Sequence, residues 1–340
     1  MTVLLTGGTG YIGSHTALVL HKAGYQVLLL DNLCNSNIAV LDRLETISGH
    51  RFEFVQGDVR DANLLNVLFQ KHRIEAVIHL AGLKSVSQSH AQPQAYHDNN
   101  VQGSISLLQA MKQHGVGQFV FSSSATVYGN PLYVPIDEDH PTSPASPYGQ
   151  SKLAVENFLK ELAGADPLWL IACLRYFNPV GAHSSGLLGE DAVGMPHNLM
   201  PAMAQVASGQ LPALQIYGSD YPTPDGSGVR DYLHIDDLAE GHLAALHYLE
   251  KSAQRPPQSN YHCFNLGTGQ GTSVLEMVKA FEQVNQVKVP LEVAARRDGD
   301  VASYYAKADK ARLELNWTAT RSLEDMCKSV WAWQQSKPMQ

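Results

Sequence analysis

Cysteine is scarce in this chain. Its 340 residues hold four, Cys34, Cys173, Cys263 and Cys327, far apart and with no Cys-x-x-Cys pair. A disulfide framework or a cysteine zinc site is therefore not expected, and the thiols read as buried or incidental ones in a reducing cytosol. An excess of positive charge is also missing: charged residues make up 16%, the formal net charge is −8 and the pI is near 6.0. That balance removes any general attraction to nucleic acid or an anionic membrane, and leaves room for a local basic site that takes a small anion. No apolar run approaches the length of a membrane span, and no basic leader precedes the first apolar segment, so a cytoplasmic protein is expected. The fifteen histidines are scattered without a His-x-x-x-His pair in a helical pattern, and no metal site is expected. There is no internal repeat and no low-complexity tract.

What is present is ordinary apolar content, 44%, over a length that allows a large core and two lobes around a cleft. Thr2–Thr6 is a short β-branched and leucine run that stops at Gly7-Gly8-Thr9-Gly10-Tyr11-Ile12-Gly13, and a helical pattern follows to Ala23-Gly24. In this strand, turn and helix, Gly7, Gly10 and Gly13 permit a tight turn, close approach of the backbone to a pyrophosphate, and close helix–strand packing. The helix N-terminus offers free N–H groups to the anion. A second strand over Gln26–Leu30 ends at Asp31, where a dinucleotide fold holds the adenosine ribose hydroxyls; a carboxylate there repels a 2′-phosphate and favours NAD over NADP.

Further strands are read over 52–55, 75–80, 118–121 and 169–175, with a helix from about Ala95 to His114. Asp58 follows the third strand, placed to reach the adenine. Ala81 and Gly82 follow the fourth, small enough for a flat ring to pass, with Lys84 near a cofactor hydroxyl or phosphate. This regular alternation predicts an α/β fold, a Rossmann-type doubly wound parallel sheet with its ligand at the carboxyl ends of the strands. It fades after Asn178. The expected division is a cofactor domain over 1–177 and a smaller α/β substrate lobe over 178–340, with segments near 230–237 and 262–268 returning to the first domain. The loop from Gly218 to Gly228 is expected to be exposed, and the tail after about Trp333 disordered.

Two clusters carry chemistry. Ser122-Ser123-Ser124 lies at a strand end that faces the cofactor. Ser146-Pro147-Tyr148-Gly149-Gln150-Ser151-Lys152 starts a helix, with Ser146 as cap and Pro147 at the first helical position. Four-residue spacing puts the Tyr148 phenol and the Lys152 ammonium on one face, where the ammonium stabilises the phenolate and turns the tyrosine into a base. Val155, Phe158, Leu159 and Leu162 continue the helix as an apolar stripe.

From about residue 2 to about residue 335 the chain resembles the extended short-chain dehydrogenase/reductases and, within them, the family of UDP-glucose 4-epimerases. The resemblance is carried by Thr6–His15, Leu30–Ser36, His79–Lys84, Asp98–Val101, Ser122–Gly129, Ser146–Lys152 and Leu174–Ala182. It implies that Tyr148 is the base, that Lys152 lowers its pKa and binds the nicotinamide ribose, and that Ser124 bonds the sugar hydroxyl being oxidised. It places Tyr11, Ile12, Asn32, Asn35, Ser36, Val59, Leu80, Asn99, Ser122 and Phe177 beside NAD. For the UDP-sugar it implies Asn198 near the diphosphate, Leu214, Ile216 and Tyr217 along the uracil, Arg230 and Arg297 at the pyrophosphate or uridine, where guanidinium forks suit phosphate, and Asn178, Leu199 and Asp300 as further substrate contacts. Tyr304 is the bulky side chain that narrows the sugar pocket against N-acetylated sugars.

The reaction implied is interconversion of UDP-galactose and UDP-glucose by transient oxidation at C4 with bound NAD, in a homodimer built from the helices that follow Asp98 and Tyr148. Two rivals differ in what they need. A nucleotide-sugar 4,6-dehydratase commonly has an Asp-Glu pair after the active-site Ser/Thr, where Ala125 and Thr126 stand here, and a decarboxylase of the same superfamily would release CO2. A non-catalytic dinucleotide sensor has no use for a complete Ser124, Tyr148 and Lys152 set.

Overall fold

The computed structural model describes residues 1–191, 196, 198–254, 259–297 and 299–337. The first half alternates as its apolar runs dictate: β1 (Thr2–Thr6), α1 (Tyr11–Lys22), β2 (Gln26–Asp31), α2 (Val40–Ser48), β3 (Glu53–Gln56), α3 (Ala62–Lys71) and β4 (Ile74–His79). α4 (Val86–Ala91) precedes the helix expected from about Ala95 to His114, which consists of α5 (Pro93–Tyr96), a π-helical turn over His97–Gln102, and α6 (Gly103–Gln113). Then come β5 (Gln118–Ser122), a 3-10 turn over Ala125–Tyr128, α7 (Pro147–Ala165) and β6 (Leu170–Tyr176). Ser146 caps α7 by accepting from the Gly149 amide, with Pro147 behind it in the first turn.

The second half is built from shorter pieces: β7 (Asn178–Val180), α8 (Leu199–Ala207), β8 (Leu214–Tyr217), β9 (Val229–Arg230), β10 (Tyr232–His234), α9 (Ile235–Ala253) and β11 (Tyr261–Leu266). After these come β12 (Thr272–Ser273), α10 (Val274–Asn285), β13 (Leu291–Ala294), β14 (Ser303–Tyr304) and α11 (Leu323–Ser336).

Seven strands form one sheet in the order β3-β2-β1-β4-β5-β6-β11, and every neighbouring pair is parallel. Parallel strands need both faces covered, and the side chains divide accordingly. Val3, Leu5, Val27, Leu29, Ala76, Ile78, Val120 and Leu174 enter one core with α1, α2 and α9. Leu4, Leu28, Leu30, Val77, Phe119, Phe121 and Ile171 enter the other with α3, α6 and α7. β11 extends the sheet beyond β6, and α9 packs on α1. The stretch that joins the first layer is thus longer than the two segments near 230–237 and 262–268. A separate core gathers α8, α10 and α11 around Met200, Met203, Met277, Phe281, Cys327 and Val330.

Two local expectations are corrected. The tail after about Trp333 is ordered to the end of α11: Trp333 and Gln334 are buried, and Gln334 bonds Ser208 and Gln210. Residues 338–340 lie outside the described residues. The loop from Gly218 to Gly228 is not wholly exposed, since Tyr221 and Ser227 are buried within it.

Candidate active site

Strand order reverses between β1 and β4, which places a crevice at their carboxyl ends. The glycine turn enters it from β1, and Leu80 to Gly82 from β4. Gly7 has φ +69°, and a Cβ there would stand 2.7 Å from the Ala81 nitrogen. A Cβ on Gly13 would stand 2.1 Å from the Gly7 carbonyl oxygen, so the α1 N-terminus and the turn touch backbone to backbone. Gly10 caps α1 without a side-chain bond, and no acidic residue sits in the first turn. An uncapped, unopposed helix N-terminus fits an anion.

Asp31 is fixed at the tip of β2 by three donors. Its Oδ2 accepts from the Thr9 amide at 3.1 Å, and its Oδ1 from the Leu33 amide and the Ser36 hydroxyl, both at 2.9 Å. Asn35 is exposed beside it. Asp58 faces elsewhere first: Asn32 donates to it at 3.0 Å and Arg60 forks onto it at 2.9 and 2.7 Å, and the Arg60 guanidinium holds its carboxyl well below the usual range. Val59 is buried in the core. The turn and Asp31 together fit a dinucleotide, with Lys84 at the rim. Lys84 is exposed and pairs with Glu190 at 3.0 Å; the same Glu190 oxygen accepts from Asn198 at 2.8 Å. Tyr11 crosses under this pair and donates to the Gly181 carbonyl at 2.7 Å.

The end of β5 and the start of α7 meet across the crevice. Tyr148 and Lys152 are both buried. The Ser124 hydroxyl lies against the Tyr148 phenol and accepts from the Thr126 amide at 3.2 Å. The expectation that Lys152 lowers the phenol pKa is not what this arrangement shows. Burial, with Tyr176 and Tyr96 beside it, pushes the phenol well up, and Ser124 draws it partly back. Lys152 is turned to the Ser122 carbonyl, 2.8 Å away, with its Nζ 6.0 Å from the Tyr148 ring centre. Burial pushes Lys152 itself down to about 8.

Sequence reasoning missed Asn100, one residue past the expected Asn99. Asn99 is half-buried on the π-helical turn, whereas Asn100 is buried and brackets the Leu83 backbone, accepting from its amide at 2.8 Å and donating to its carbonyl at 3.1 Å. A Cβ on Gly82 would stand 3.1 Å from Asn100 Oδ1 and 3.7 Å from Lys152 Nζ, so this asparagine shapes the floor of the crevice. A π-turn is a recurrent mark of a functional site, but the sequence carries no pattern for it.

Segments of the second half line the crevice from the other side. Asp231, fully buried, accepts from the Thr268, Gly269 and Ala306 amides at 2.8, 3.1 and 3.1 Å. That junction holds Arg230 and Tyr304 on paired strands. Arg230 donates to the Val229 and Val301 carbonyls, both at 2.9 Å, and to Asp300 at 3.2 Å. The Arg297 guanidinium lies 3.8 Å over the Tyr217 ring. On β8 the side chains of Leu214 and Ile216 are buried in the lobe core, so strand alternation leaves them their backbone to offer a ligand, and Tyr217 the partly exposed face. Tyr304 donates to the Ala125 carbonyl and packs on Phe177, ring centres 5.5 Å apart. Asn178 is exposed, and Leu199 half-buried at the start of α8.

Residues 4–330 match the profile of the family described as GDP-mannose 4,6 dehydratase. The chain is 52% identical to a UDP-glucose 4-epimerase of Pasteurella multocida, over 99% of this chain and 98% of that one, and 51% identical to one of Bacillus subtilis, over 99% and 97%. Among solved structures, it superposes with a TM-score of 0.95 on the UDP-glucose 4-epimerase of Stenotrophomonas maltophila with bound NAD and formylated UDP-arabinopyranose, at 50% identity and covering 99% and 98% of the two chains. The Bifidobacterium longum epimerase in complex with NAD+ and UDP gives 0.93 at 48% identity, covering 99% of each. With full-length identity at this level and the same crevice beneath it, the chain belongs to the UDP-glucose 4-epimerase family of the extended short-chain dehydrogenase/reductases.

Proposed function

We propose that the protein interconverts UDP-galactose and UDP-glucose by oxidising the sugar at C4 and reducing it again on the opposite face. The observation that carries this reading is the Ser124 hydroxyl set against the Tyr148 phenol, with Lys152 beneath, at the crevice where the parallel sheet reverses. NAD, held by the Gly7–Gly13 turn, Asp31 and Lys152, supplies the hydride acceptor and the returning hydride. Tyr148 takes the C4 hydroxyl proton as base and gives it back as acid, so one side chain serves both halves of the cycle. Ser124 bonds the same hydroxyl and fixes its lone pairs. Arg230 and Arg297 hold the pyrophosphate and uridine, so binding far from C4 keeps the flat 4-keto sugar in place while its ring turns over. Tyr304, beneath Ala125 and against Phe177, bounds the pocket in which it turns.

The dehydratase description of the matched profile does not transfer with its chemistry: Ala125 and Thr126 occupy the places of the extra acid and base. Incubating the purified protein with UDP-galactose and no added cofactor should give UDP-glucose. Loss of water or CO2 from the product would overturn the reading, and Tyr148→Phe should stop turnover with NAD still bound. We place the enzyme in the cytoplasm as a homodimer through the helices after Asp98 and Tyr148. Among the described residues no helix is long and apolar enough to cross a membrane. Light scattering of the purified protein tests the dimer.

A further inference from the structure

The three serines that end β5 do three different things. Ser124 faces Tyr148. Ser122 bonds the Tyr176 hydroxyl through its own hydroxyl, and its carbonyl takes Lys152. Ser123, fully buried, turns to the far side and donates to Glu156. Glu156 lies on α7, one turn beyond Lys152 and two beyond Tyr148, with 2% of its surface exposed. Its carboxylate is gripped by Arg175 of β6, whose Nε reaches the two oxygens at 3.0 and 3.2 Å and whose Nη2 reaches Oε2 at 2.6 Å. The guanidinium stands 4.9 Å over the Tyr128 ring, and the Tyr128 hydroxyl donates to Asn265 of β11 at 2.6 Å.

Ser123, Glu156, Arg175, Tyr128 and Asn265 were assigned to neither cofactor nor sugar, yet their network ties the helix carrying Tyr148 to the turn carrying Ser124 through two further strands. Stability alone does not account for it. Taking two charges out of water costs about as much as their attraction returns, and apolar side chains of the same size would serve as well. An apolar pair, however, would remove the one carboxylate that faces Lys152 at helical spacing.

We propose that Glu156, clamped by Arg175 and Ser123, is a positioning residue for the catalytic pair: it sets α7 against the serine turn and supplies the negative charge opposite the Lys152 ammonium. The other groups packed on Lys152 bring no such charge. From β5 come the Phe121 ring, 5.0 Å away, and the Ser122 carbonyl. From β4 comes His79, which burial holds neutral at about 3. From β6 comes the Cys173 thiol, which burial pushes up and keeps protonated. Tyr148 shares the helix, its phenol held up by burial. Burial drives Lys152 toward neutrality, and the Glu156 carboxylate, the charged group among these neighbours, draws it back.

This inference rests on Tyr148 and Lys152 being the catalytic pair. Its test uses NAD-loaded Glu156→Gln, Arg175→Met and the double variant Glu156→Leu/Arg175→Met, the last leaving no unpaired buried charge should the single changes fail to fold. Bound NAD, thermal unfolding, KM and the pH dependence of kcat are read together. Glu156→Gln should lower kcat on the order of 10- to 100-fold with KM little changed, the cost of a displaced catalytic group. The alkaline limb of kcat, where Lys152 loses its proton, should move to lower pH by about one unit in both Glu156 variants. Glu156→Asp should restore the limb in part. A folded, NAD-loaded Glu156 variant whose alkaline limb matches the wild type overturns the proposal and leaves the catalytic assignment standing. An active Tyr148→Phe overturns that assignment instead.

Discussion

Replacing Lys152 by methionine should separate the two roles given to this side chain, because it leaves volume and helix propensity nearly unchanged and removes one charge. The Nζ stands 6.0 Å from the Tyr148 ring centre. At that separation and an effective dielectric of about 20, Coulomb attraction of the ammonium for a phenolate comes to about 3 kcal/mol, an attraction that burial of the phenol outweighs in the net upward shift. That corresponds to about two pKa units, so at fixed pH the phenolate population, and kcat with it, should fall about 100-fold. The sign gives a second signature: without the ammonium the phenol is harder to ionise, so kcat should recover as pH rises. The assay is kcat per bound NAD across pH, with the ultraviolet absorbance of tyrosinate followed in parallel. Stability should move the other way. Burial lowers Lys152 from 10.5 to about 8, so its charge destabilises the fold by about 3 kcal/mol at neutral pH. The folded state binds fewer protons than the unfolded one between those two values. The penalty is therefore full below about 8 and fades as pH rises toward 10.5. Lys152→Met should thus unfold at a higher temperature than the wild type near neutrality, an advantage that shrinks in alkali. Wild-type kcat per bound NAD in this variant would refute the reasoning, and Lys152 would then serve the cofactor alone.

Three more outcomes follow from single sites. Asp31→Ala removes an acceptor that three donors share, and each charge-assisted bond contributes about 1.5–3 kcal/mol; NAD affinity measured by calorimetry should fall at least tenfold while discrimination against NADP narrows. Gly13→Ala puts a methyl group 2.1 Å from the Gly7 carbonyl, so the purified protein should come without NAD and melt early; a stable, NAD-loaded Gly13→Ala would show that the turn can open. Tyr304→Cys removes the ring on Phe177 and the bond to the Ala125 carbonyl, and should raise the rate on UDP-N-acetylglucosamine; an unchanged rate would mean that another side chain bounds the pocket.

The first half was legible because its signals are local. A parallel strand covered on both faces reads as an apolar run, and a nucleotide turn as glycines at fixed spacing, so β1, β2 and the Gly7–Gly13 turn stand where the sequence puts them. The return of α9 and β11 to the sheet was only partly visible, since which edge a strand joins depends on partners far off in the chain. On β8, a match of residues along the uracil could not say which side chains face inward; the pleat buries Leu214 and Ile216.

The α7 helix shows most sharply where reading stopped. Its sequence shows an apolar stripe of Val155, Phe158, Leu159 and Leu162. In the fold, Phe158 and Leu162 are half-exposed, and the buried ridge runs through Tyr148, Lys152, Val155, Glu156, Leu159 and Ala163. A periodicity count of apolar residues leaves charged ones out, so the stripe shared Val155 and Leu159 with this ridge but omitted Lys152 and Glu156. A signal was there all the same. Glu156 follows Lys152 by four residues on the side that Tyr148 also occupies, and a face holding a phenol, an ammonium and a carboxylate at helical spacing is either fully solvated or fully partnered. The leucine and alanine that continue it, Leu159 and Ala163, exclude the first. The partner then has to come from a neighbouring strand, and Arg175, the one arginine inside an otherwise apolar strand, is the residue that can reach it.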